Sequence, residues 1–323
     1  MDKSHFFNLI NVGNINSGLL RDNFVHSRES FLEFPTHLKG LPILIAAEPE
    51  IFEFSPEDVF ELSEDEILTK VYNLSDSEYV GYRHAFHSNK FLRRFNLKKG
   101  LQGTVNKIVS QNLSVFDGLA KIKDKHKIVG AFQTRNIPHF GHEKIIERML
   151  KVCDHLIINP VIGPKKMGDV KLEILEKIYQ YLILHKYEQR ISFLPIFANM
   201  FYAGPNEAFH HAILRQRIGF DIFSVGRDHA GAQGAYAPSL AVTKLLKYQN
   251  NLNIKIFSHR GAVFCNECNS AVLFGECDHH EEKYEDIAGT QFRLSIKNNE
   301  FFSYADRNMQ SYLQSINLEV FEG

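Results

Sequence analysis

Two histidines three residues apart, His139 and His142, mark the part of the sequence with the clearest capacity for chemistry. They follow Gln133, Arg135 and Asn136 and lead into a segment with helical periodicity. At the entry to a helix this spacing lets both imidazoles face the same side. An arginine, two amides and two imidazoles on one side of the chain are donors suited to an oxyanion.

The backbone around this pair also favours an anion. Gly141 lies between the histidines and lets the main chain come close to a ligand. A helix N-terminus adds free N–H groups and a partial positive charge, which suit phosphate oxygens. A histidine pair at this spacing also occurs among core residues and metal ligands. The position directly after a strand-like apolar run favours phosphate binding over those alternatives.

A second group of residues has the composition of a metal site. Cys265, Cys268 and Cys277 fall close together, and His279 and His280 follow directly. Three thiols and an imidazole at these spacings predict tetrahedral, structural zinc. We expect His279 as the fourth ligand, with His280 as the alternative. Free thiols or a disulfide are the competing interpretations, but no export signal supports a disulfide.

The elements that position these residues are read from apolar periodicity. From residue 127 onward, strand-like runs alternate with amphipathic helices. We predict strands at 128–132, 155–159, 191–197, 221–225 and 253–257, and helices near 142–152, 171–187, 206–218 and 239–248. Strict alternation implies right-handed crossovers. The fold class is therefore α/β, with a doubly wound, Rossmann-like parallel sheet.

The rest of the chain is predicted in coarser terms. Residues 1–125 are expected to form a smaller α+β domain, with a buried strand at 41–47 and helix starts at Ser55 and Ser63. Residues 114–126 read as a connector. The catalytic domain is predicted at 126–260, and a zinc-knuckle insertion with a C-terminal helical segment at 261–323.

Polar loops follow the predicted strands on one edge of the sheet. Gly163-Pro164-Lys165-Lys166 lies beyond the second strand, Tyr202-Ala203-Gly204-Pro205 beyond the third, and Gly226-Arg227-Asp228-His229-Ala230-Gly231 beyond the fourth. In doubly wound sheets the ligand lies beyond the carboxyl ends of the strands. This edge gathers arginines, lysines, amides and glycine N–H groups, and therefore predicts a polyanion site.

These motifs resemble those of the ATP sulfurylases. Residues 133–143 closely resemble the family signature Q-T-R-N-x-x-H-x-G-H-E. The lysine-containing, Tyr-Ala-Gly-Pro and Gly-Arg-Asp-His-Ala-Gly motifs follow in the family's order, and Gly289-Thr290-x-x-Arg293 resembles its late Ser-Gly-Thr-x-x-Arg segment. The H-x-x-H pair alone is shared with other nucleotidyltransferases, whereas the two middle motifs together are specific. The family also includes prokaryotic members with a zinc knuckle.

The resemblance implies a sulfate adenylyltransferase, which joins sulfate to the α-phosphate of ATP and releases pyrophosphate. It implies that Gln133 and Arg135 hold sulfate, and that Asn136, His139 and His142 hold the triphosphate. Arg227 and the backbone N–H of Ala230 would complete the cradle, and Asp228 would contact the adenosine side. Further ATP or sulfate contacts are implied for Thr134, Gly141, Lys165, Gly204 and Gly226. Magnesium is expected to arrive with ATP.

The sequence also departs from the family. The N-terminal third is short and divergent, so a PUA-like domain there is an expectation supported only loosely by residues 71–82. Ala288 occupies a position where serine is common. Two other functions stay open: a non-catalytic nucleotide-binding paralogue, and a nucleotidyltransferase for another oxyanion. Retention of both Gln133 and Arg135 favours sulfate.

Composition excludes some partners. The formal charge is -1, the charged fraction is 23%, and no long like-charge block occurs, which argues against nucleic acid. No segment reaches the roughly 18 apolar residues of a membrane span, and residues 1–12 do not resemble a signal peptide. We expect a cytoplasmic protein without membrane partners, and a homo-oligomer, assumed to be a dimer.

Overall fold

The computed structural model describes residues 2–20, 27–33, 40–227, 229–232, 234–316 and 318–322. Its helices are α1 (Lys3–Asn16), α2 (Arg28–Leu32), α3 (Glu64–Ile67), α4 (Val80–Ala85), α5 (Gln102–Lys123), α6 (Phe140–Met149), α7 (Leu172–His185), α8 (Gly204–Ile218), α9 (Leu240–Lys247), α10 (Gly289–Lys297) and α11 (Arg307–Ser315). A π-helical turn spans Leu68–Tyr72, and 3₁₀ turns span Pro56–Asp58, Gln249–Asn251 and Glu281–Lys283.

The strands are short and fall into five sheets within the described ranges. They are β1 (Phe52–Glu53), β2 (Val59–Glu61), β3 (Lys90–Leu92), β4 (Asn96–Leu97), β5 (Val129–Phe132), β6 (His155–Ile158), β7 (Val161–Ile162), β8 (Ile191–Phe193), β9 (Ile196–Phe197), β10 (Ile222–Val225), β11 (Lys255–Ser258), β12 (Ala262–Cys265), β13 (Ser270–Leu273) and β14 (Tyr284–Asp286).

The central sheet has the order β11-β10-β5-β6-β8, and every neighbouring pair is parallel. The chain moves outward from β5 through β6 to β8, then crosses back to β10 and β11. This confirms the predicted doubly wound α/β sheet, with its switch point between β5 and β10. One predicted strand is wrong in extent, because residues 191–197 divide into β8 and β9, and β9 pairs with β7 outside the main sheet.

Both faces of the sheet are covered. Along β5, Val129 and Ala131 belong to one hydrophobic cluster, and Phe132 belongs to another. The first cluster includes buried residues of α8 and α9, and the second includes those of α6 and α7. Alternation of side chains across β5 therefore feeds two cores, which is why the parallel strands are apolar on both faces.

Two N-terminal predictions are wrong for a common reason. Residues 41–47 are extended and mostly buried but form no strand; their isolated bridge joins Ala46 to Phe91. Asparagines of α1 bond to this backbone, since Asn8 accepts from Ala46 N at 3.0 Å and Asn11 donates to Leu44 O at 3.4 Å. The helix predicted from Ser55 is a 3₁₀ turn followed by β2, which pairs with β3. In both segments, tertiary partners decided the backbone state.

The predicted connector is also wrong. Residues 114–123 are the second half of the 22-residue helix α5. Its buried positions Val105, Ile108, Asn112, Val115 and Leu119 follow the spacing of one helix face. The helix start predicted at Ser63 is confirmed, with Ser63 and Glu66 forming a capping box. The division at residues 125 and 260, and the PUA-like identity of the N-terminal region, stay predictions.

Three antiparallel strands in the order β13-β12-β14 form a small separate sheet. This sheet packs against α6, the helix that His139 and His142 open. Arg148 of α6 forms an ion pair with Glu276 beside β13. The small sheet and the two histidines are therefore both attached to α6.

Candidate active site

A cavity of about 450 Å³ lies beyond the carboxyl ends of β5 and β10, at the switch point of the sheet. It brings together most residues singled out from the sequence: Gln133, Thr134, Arg135, Asn136, His139, Gly141, His142, Lys165, Gly226, Arg227 and Ala230. Asp228 lies outside the described residues. The grouping follows from topology, because loops after adjacent parallel strands open on the same edge.

Gly204 is described but does not line this cavity. It has a φ of +51°, and an added Cβ would meet the Tyr236 ring at 2.4 Å. Its N–H donates to the carbonyl of Ala230 at 3.1 Å. Gly204 therefore joins the loop before α8 to the loop after β10, and a direct contact with ATP or sulfate is not supported for it.

The two histidines are fixed by the start of α6. His139 is the N-cap, and its Nδ1 accepts the Gly141 N–H at 3.1 Å. His142 Nδ1 lies 3.5 Å from the His139 N–H, and the ring centroids are 4.0 Å apart. With Nδ1 accepting, a neutral His139 carries its proton on Nε2, where it is a donor. A Cβ added to Gly289 would lie 4.0 Å from this atom.

Both imidazoles are neutral at physiological pH. Burial lowers the pKa of His139 to about 4. Burial also holds the pKa of His142 well below its ordinary value, with smaller contributions from His139, His259 and Arg293. The pair therefore offers hydrogen-bond donors rather than positive charges. Positive charge must come from arginine and lysine.

A buried carboxylate organises that positive charge. Asp169 is fully buried, and its oxygens lie 3.4 Å from Arg135 Nη1, 3.3 Å from Lys166 Nζ and 3.9 Å from Arg293 Nη2. The Tyr202 hydroxyl donates to it at 2.9 Å. Burial would raise the pKa of Asp169, but Arg135, Lys166, Tyr202 and Arg293 together hold it below the ordinary value. Asp169 is thus ionised and holds three cations, of which Arg135 and Arg293 line the cavity.

Arg135 is held by several weak contacts. Its guanidinium lies 5.2 Å from the centroid of the Tyr202 ring, and its Nη2 lies 3.4 Å from Gly231 O. These contacts restrict the planar group while its side chain stays 29% exposed. A guanidinium restricted in this way retains donors for a tetrahedral oxyanion.

Gln133 and Lys165 add further polar groups. Gln133 Oε1 is buried and has no hydrogen-bond partner among the described residues, while Nε2 faces Met200 Sδ at 3.9 Å. A buried amide without partners of ordinary strength is available to a ligand. Lys165 Nζ donates to Val170 O at 3.1 Å, and burial lowers its pKa.

Several wall residues were not assigned a role from the sequence. Arg293 lies on the cavity and donates to Asn136 Oδ1, and its Nε is buried without a partner among the described residues. His229 and His259 also line the cavity. The Gly289-Thr290-x-x-Arg293 motif was the available signal for Arg293, but its spacing does not reveal a partner 157 residues away.

The cysteine cluster forms the predicted group. The ligand atoms of Cys265, Cys268, Cys277 and His279 all lie within 4.8 Å of one another. His279 Nδ1 is 3.4 Å from Cys265 Sγ and 3.3 Å from Cys268 Sγ. His279 is thus the histidine brought to the thiols, and His280 instead precedes the 3₁₀ turn Glu281–Lys283. Three sulfurs and one imidazole nitrogen at this separation suit a tetrahedral zinc ion.

The small sheet that carries this cluster also forms part of the cavity. Gly261 and Ala262 at the start of β12, and Asp286 and Ile287 at the end of β14, line the wall opposite the central sheet. The cluster lies at the other end of these strands, with Cys265 paired to Tyr284. The cysteine cluster and this wall of the cavity therefore lie at opposite ends of the small sheet.

The fold and the cavity define a class: a doubly wound α/β protein with a cavity lined by arginine, lysine and imidazole side chains at its switch point. A family model described as ATP-sulfurylase matches residues 119–303, more than half of the 323 residues. The chain belongs to the ATP-sulfurylase family.

Individual relatives agree with this assignment. The chain is 35% identical over 272 residues to a sulfate adenylyltransferase from Pyrococcus abyssi, covering 83% of this chain and 71% of that protein. It is 33% identical over 256 residues to one from Aeropyrum pernix, covering 79% of this chain and 64% of that protein. It is 30% identical over 305 residues to one from Carboxydothermus hydrogenoformans, covering 92% and 79%.

A solved structure shares the fold. A hexameric APS kinase from Thiobacillus denitrificans gives a TM-score of 0.56 at 9% identity, covering 97% of this chain and 62% of that chain. At that identity the likeness concerns the fold alone. Among the described residues, no helix is long and apolar enough to cross a membrane.

Proposed function

We propose that the protein is a sulfate adenylyltransferase, which converts MgATP and sulfate to adenosine 5'-phosphosulfate and pyrophosphate. The observation that carries the proposal is the cavity itself, in which Arg135, Lys165 and Arg293 face two neutral imidazole donors at a sheet switch point. Sulfate and a triphosphate repel each other, so a site that unites them needs fixed cations and dipoles more than bases. This cavity supplies both.

Sulfate is proposed to bind between Gln133 and Arg135. The unpartnered Gln133 amide and the restricted Arg135 guanidinium are both available to oxygen ligands. Asp169 restricts the position of the Arg135 side chain, because its carboxylate lies 3.4 Å from one guanidinium nitrogen. The remaining donors of Arg135 can then form a two-bond contact with the oxyanion.

The nucleotide is proposed to occupy the rest of the cavity. Asn136, His139 and His142 would hold the triphosphate and stabilise the charge that develops as pyrophosphate leaves. Arg227 and the N–H of Ala230 would complete the cradle for sulfate and the α-phosphate, and Asp228 would contact the adenosine side. Supporting contacts are proposed for Thr134, Gly141, Lys165 and Gly226. Gly204 would act only through its bond to Ala230 O.

The reaction needs no nucleophilic side chain. A sulfate oxygen attacks the α-phosphorus in line, the bond to the β-phosphate oxygen breaks, and its electron pair leaves with pyrophosphate. The protein's contribution is then positioning and charge neutralisation. Neutral His139 and His142 suit this role, because hydrogen bonds donated by an imidazole N–H strengthen as negative charge develops on the acceptor oxygen.

Magnesium is proposed to bind with ATP. It would neutralise phosphate charge when bound. Asp169, a carboxylate of the cavity, already forms ion pairs with Arg135, Lys166 and Arg293. Among the described residues, the only group of three or more potential metal ligands is the cysteine cluster. The phosphates are therefore the expected principal ligands of the magnesium ion.

Zinc is proposed at Cys265, Cys268, Cys277 and His279. Four protein ligands leave no open position, so the ion would be structural. It would hold β12 to the strand after the knuckle, and through them the wall that contains Ala262 and Asp286. Three thiolate sulfurs and one imidazole nitrogen fit zinc better than magnesium, because magnesium prefers oxygen ligands.

For the cell, we propose a cytoplasmic homo-oligomer, with a dimer as the first state to test. ATP, sulfate and pyrophosphate are the proposed partners, without nucleic acid or membrane. The near-neutral charge and the absence of a membrane-spanning helix among the described residues support this.

The decisive experiment measures pyrophosphate release from MgATP with and without sulfate. We expect release that depends on sulfate and saturates with it. Release that ignores sulfate but responds to a phosphonate or a carboxylate would support a nucleotidyltransferase for another oxyanion. Nucleotide binding with no release under any oxyanion would support a non-catalytic paralogue and reject the proposed activity.

A further inference from the structure

A line of three ionisable side chains runs from the buried start of α8 to the cavity. Glu207 and His211 are fully buried, and His211 Nε2 lies 3.4 Å from Glu207 Oε1. His211 Nδ1 lies 3.1 Å from His229 Nε2. His229 lines the cavity. A carboxyl group in the core is thereby connected to the site through two imidazole rings.

The carboxyl end of this line is held by the backbone. Glu207 accepts the N–H of Phe201 at 2.8 Å and of Ala203 at 2.9 Å. His211 Nε2 makes no hydrogen bond among the described residues, and the Glu207 carboxylate at 3.4 Å is the acidic group that it faces, so passage of a proton requires this contact to close to hydrogen-bond geometry. The order of atoms along the line is therefore fixed: carboxyl, His211 Nε2, His211 Nδ1, His229 Nε2, and then His229 Nδ1.

Hydrogen-bond chemistry allows two arrangements of protons along the line. If Glu207 is ionised, His211 carries its proton on Nε2 and accepts at Nδ1, so His229 must donate from Nε2 and its Nδ1 is a lone pair. If Glu207 is protonated, it donates to His211 Nε2, His211 donates from Nδ1, and His229 then carries its proton on Nδ1. The protonation of one buried carboxyl thus decides whether His229 Nδ1 is an acceptor or a donor.

The surroundings favour neutral imidazoles and a carboxyl that titrates near neutrality. Burial raises the pKa of Glu207 to about 7. The backbone N–H groups of Phe201 and Ala203, and the nearby His210 and Arg135, act in the opposite direction but do not cancel this effect. Burial holds the pKa of His211 and of His229 well below the ordinary value. The other titratable or charged groups that face this line are Tyr72, Tyr79, Arg215, Tyr236 and His259.

We propose that Glu207, His211 and His229 form a proton relay that couples binding of an oxyanion in the cavity to uptake of one proton by the protein. The inference rests on the proposed function, because it takes sulfate as the oxyanion. An anion against His229 favours the arrangement in which Nδ1 carries a hydrogen. His229 thereby becomes a donor to the anion, and Glu207 and His211 are positioning residues that act through it.

The proton balance is simple. One proton from solvent bonds to His229 Nδ1, the proton on His229 Nε2 passes to His211 Nδ1, and the proton on His211 Nε2 passes to Glu207. Each imidazole exchanges one N–H bond for another and stays neutral. The carboxylate gains an O–H bond, so the net change is one proton stored in the core. The site gains a donor without placing a second positive charge beside Arg135.

The test titrates sulfate into the protein bound to magnesium and α,β-methylene-ATP, by calorimetry in two buffers of different ionisation enthalpy. Sulfate does not titrate near neutral pH, so any proton goes to the protein or to the terminal phosphate of the bound nucleotide, and the His229 variant separates the two. For the unaltered chain we expect uptake of roughly 0.5 to 1 proton per sulfate at pH 8, falling toward zero near pH 6, where Glu207 is already protonated.

Two amide variants separate binding from relay. His229→Gln keeps a donor for the anion but cannot exchange tautomers, and we expect sulfate binding with loss of proton uptake. Glu207→Gln is expected to give the same loss, but it disturbs the bonds to Phe201 and Ala203, so His229→Gln is the main variant. His155→Gln, at the opposite end of the strands, is the matched control and should keep the uptake.

The outcomes distinguish the two proposals. Sulfate binding without proton uptake in the unaltered chain, or uptake that persists in His229→Gln, would overturn the relay and leave the proposed function standing. Failure of sulfate to bind the unaltered chain would overturn both.

Discussion

Replacing Arg135 by lysine and by alanine separates the shape of its guanidinium from its charge. In the structure this group faces Asp169 at 3.4 Å through Nη1, Gly231 O at 3.4 Å through Nη2, and the Tyr202 ring at 5.2 Å. A lysine can keep the ion pair with Asp169, but one ammonium cannot also maintain the fork and the stacking. An alanine removes all three contacts and the charge.

The expected magnitudes follow from these contacts. Loss of one charge-assisted hydrogen bond to sulfate in Arg135→Lys costs about 1.5–3 kcal/mol, or about 10- to 150-fold in kcat/KM for sulfate. Arg135→Ala removes one partner of a desolvated charge pair and costs about 2–5 kcal/mol, or about 30- to 5000-fold. The fold should persist, because Lys166 and Arg293 still neutralise Asp169; we expect a loss of about 1–2 kcal/mol in unfolding free energy.

The assay is pyrophosphate release at saturating MgATP with sulfate varied, together with thermal unfolding of each variant. Arg190→Ala is the matched control, since Arg190 donates to Leu150 O at the far end of the sheet. Its sulfate dependence should be unchanged. If folded Arg135→Ala kept kcat/KM for sulfate within threefold of the unaltered chain, the assignment of sulfate to this guanidinium would be refuted.

Three further predictions concern the metal, acid and the loop before α8. Purified protein should contain about one zinc per chain, and Cys277→Ser should lose it and lower the melting temperature; metal-free protein with unchanged melting would contradict the zinc proposal. Burial lowers the pKa of His84 and of His139 to about 4, so the folded state binds fewer protons than the unfolded state between about pH 6.5 and 4. The contribution of these two histidines should therefore be complete above about pH 6.5 and fall with acid by up to about 1.4 kcal/mol per pH unit each. Glu207, whose pKa burial raises to about 7, acts in the opposite sense and offsets about one of them. We expect a net loss with acid in urea unfolding between about pH 6.5 and 4, and a flat profile would refute it. Gly204→Ala should cost about 2–4 kcal/mol, because φ is +51° and the Tyr236 ring occupies the space of the new methyl group. Gly100→Ala, with φ +96° and open space, should show the backbone strain alone, so equal losses in the two variants would exclude the proposed clash.

Local patterns made the central sheet and the cysteine cluster predictable. The strands β5, β6 and β10 are mostly apolar and buried along their whole length, and α6 and α7 carry one apolar stripe, whereas α8, predicted to be amphipathic, is buried on nearly every side. Because such a pattern depends on neighbours in the chain, it can be read without coordinates. The thiols of Cys265 and Cys268 are likewise close in sequence, so their grouping needed only a short turn.

The errors fall where distant partners replace local ones. Residues 41–47 have the composition of a strand, and Ile45 and Ala47 do bond to the backbone of β3, but on the other edge the amides of Asn8 and Asn11 take the bonds that a second strand would have taken. The second half of α5 looked like a linker because its charged residues face outward, while Val115 and Leu119 are buried against the core. A charged segment in the sequence does not show which part of the protein packs against the opposite face of the helix.

The sequence by itself determined which polar groups lie together, because the loops after parallel strands must share one edge of the sheet. Only the tertiary structure decided how those groups are held: Asp169 between Arg135, Lys166 and Arg293, Asn136 bonded to Arg293, and Glu207 joined to the cavity through His211 and His229. These contacts join side chains from separate loops and helices, and their energy depends on burial and distance. Neither quantity is encoded in residue spacing.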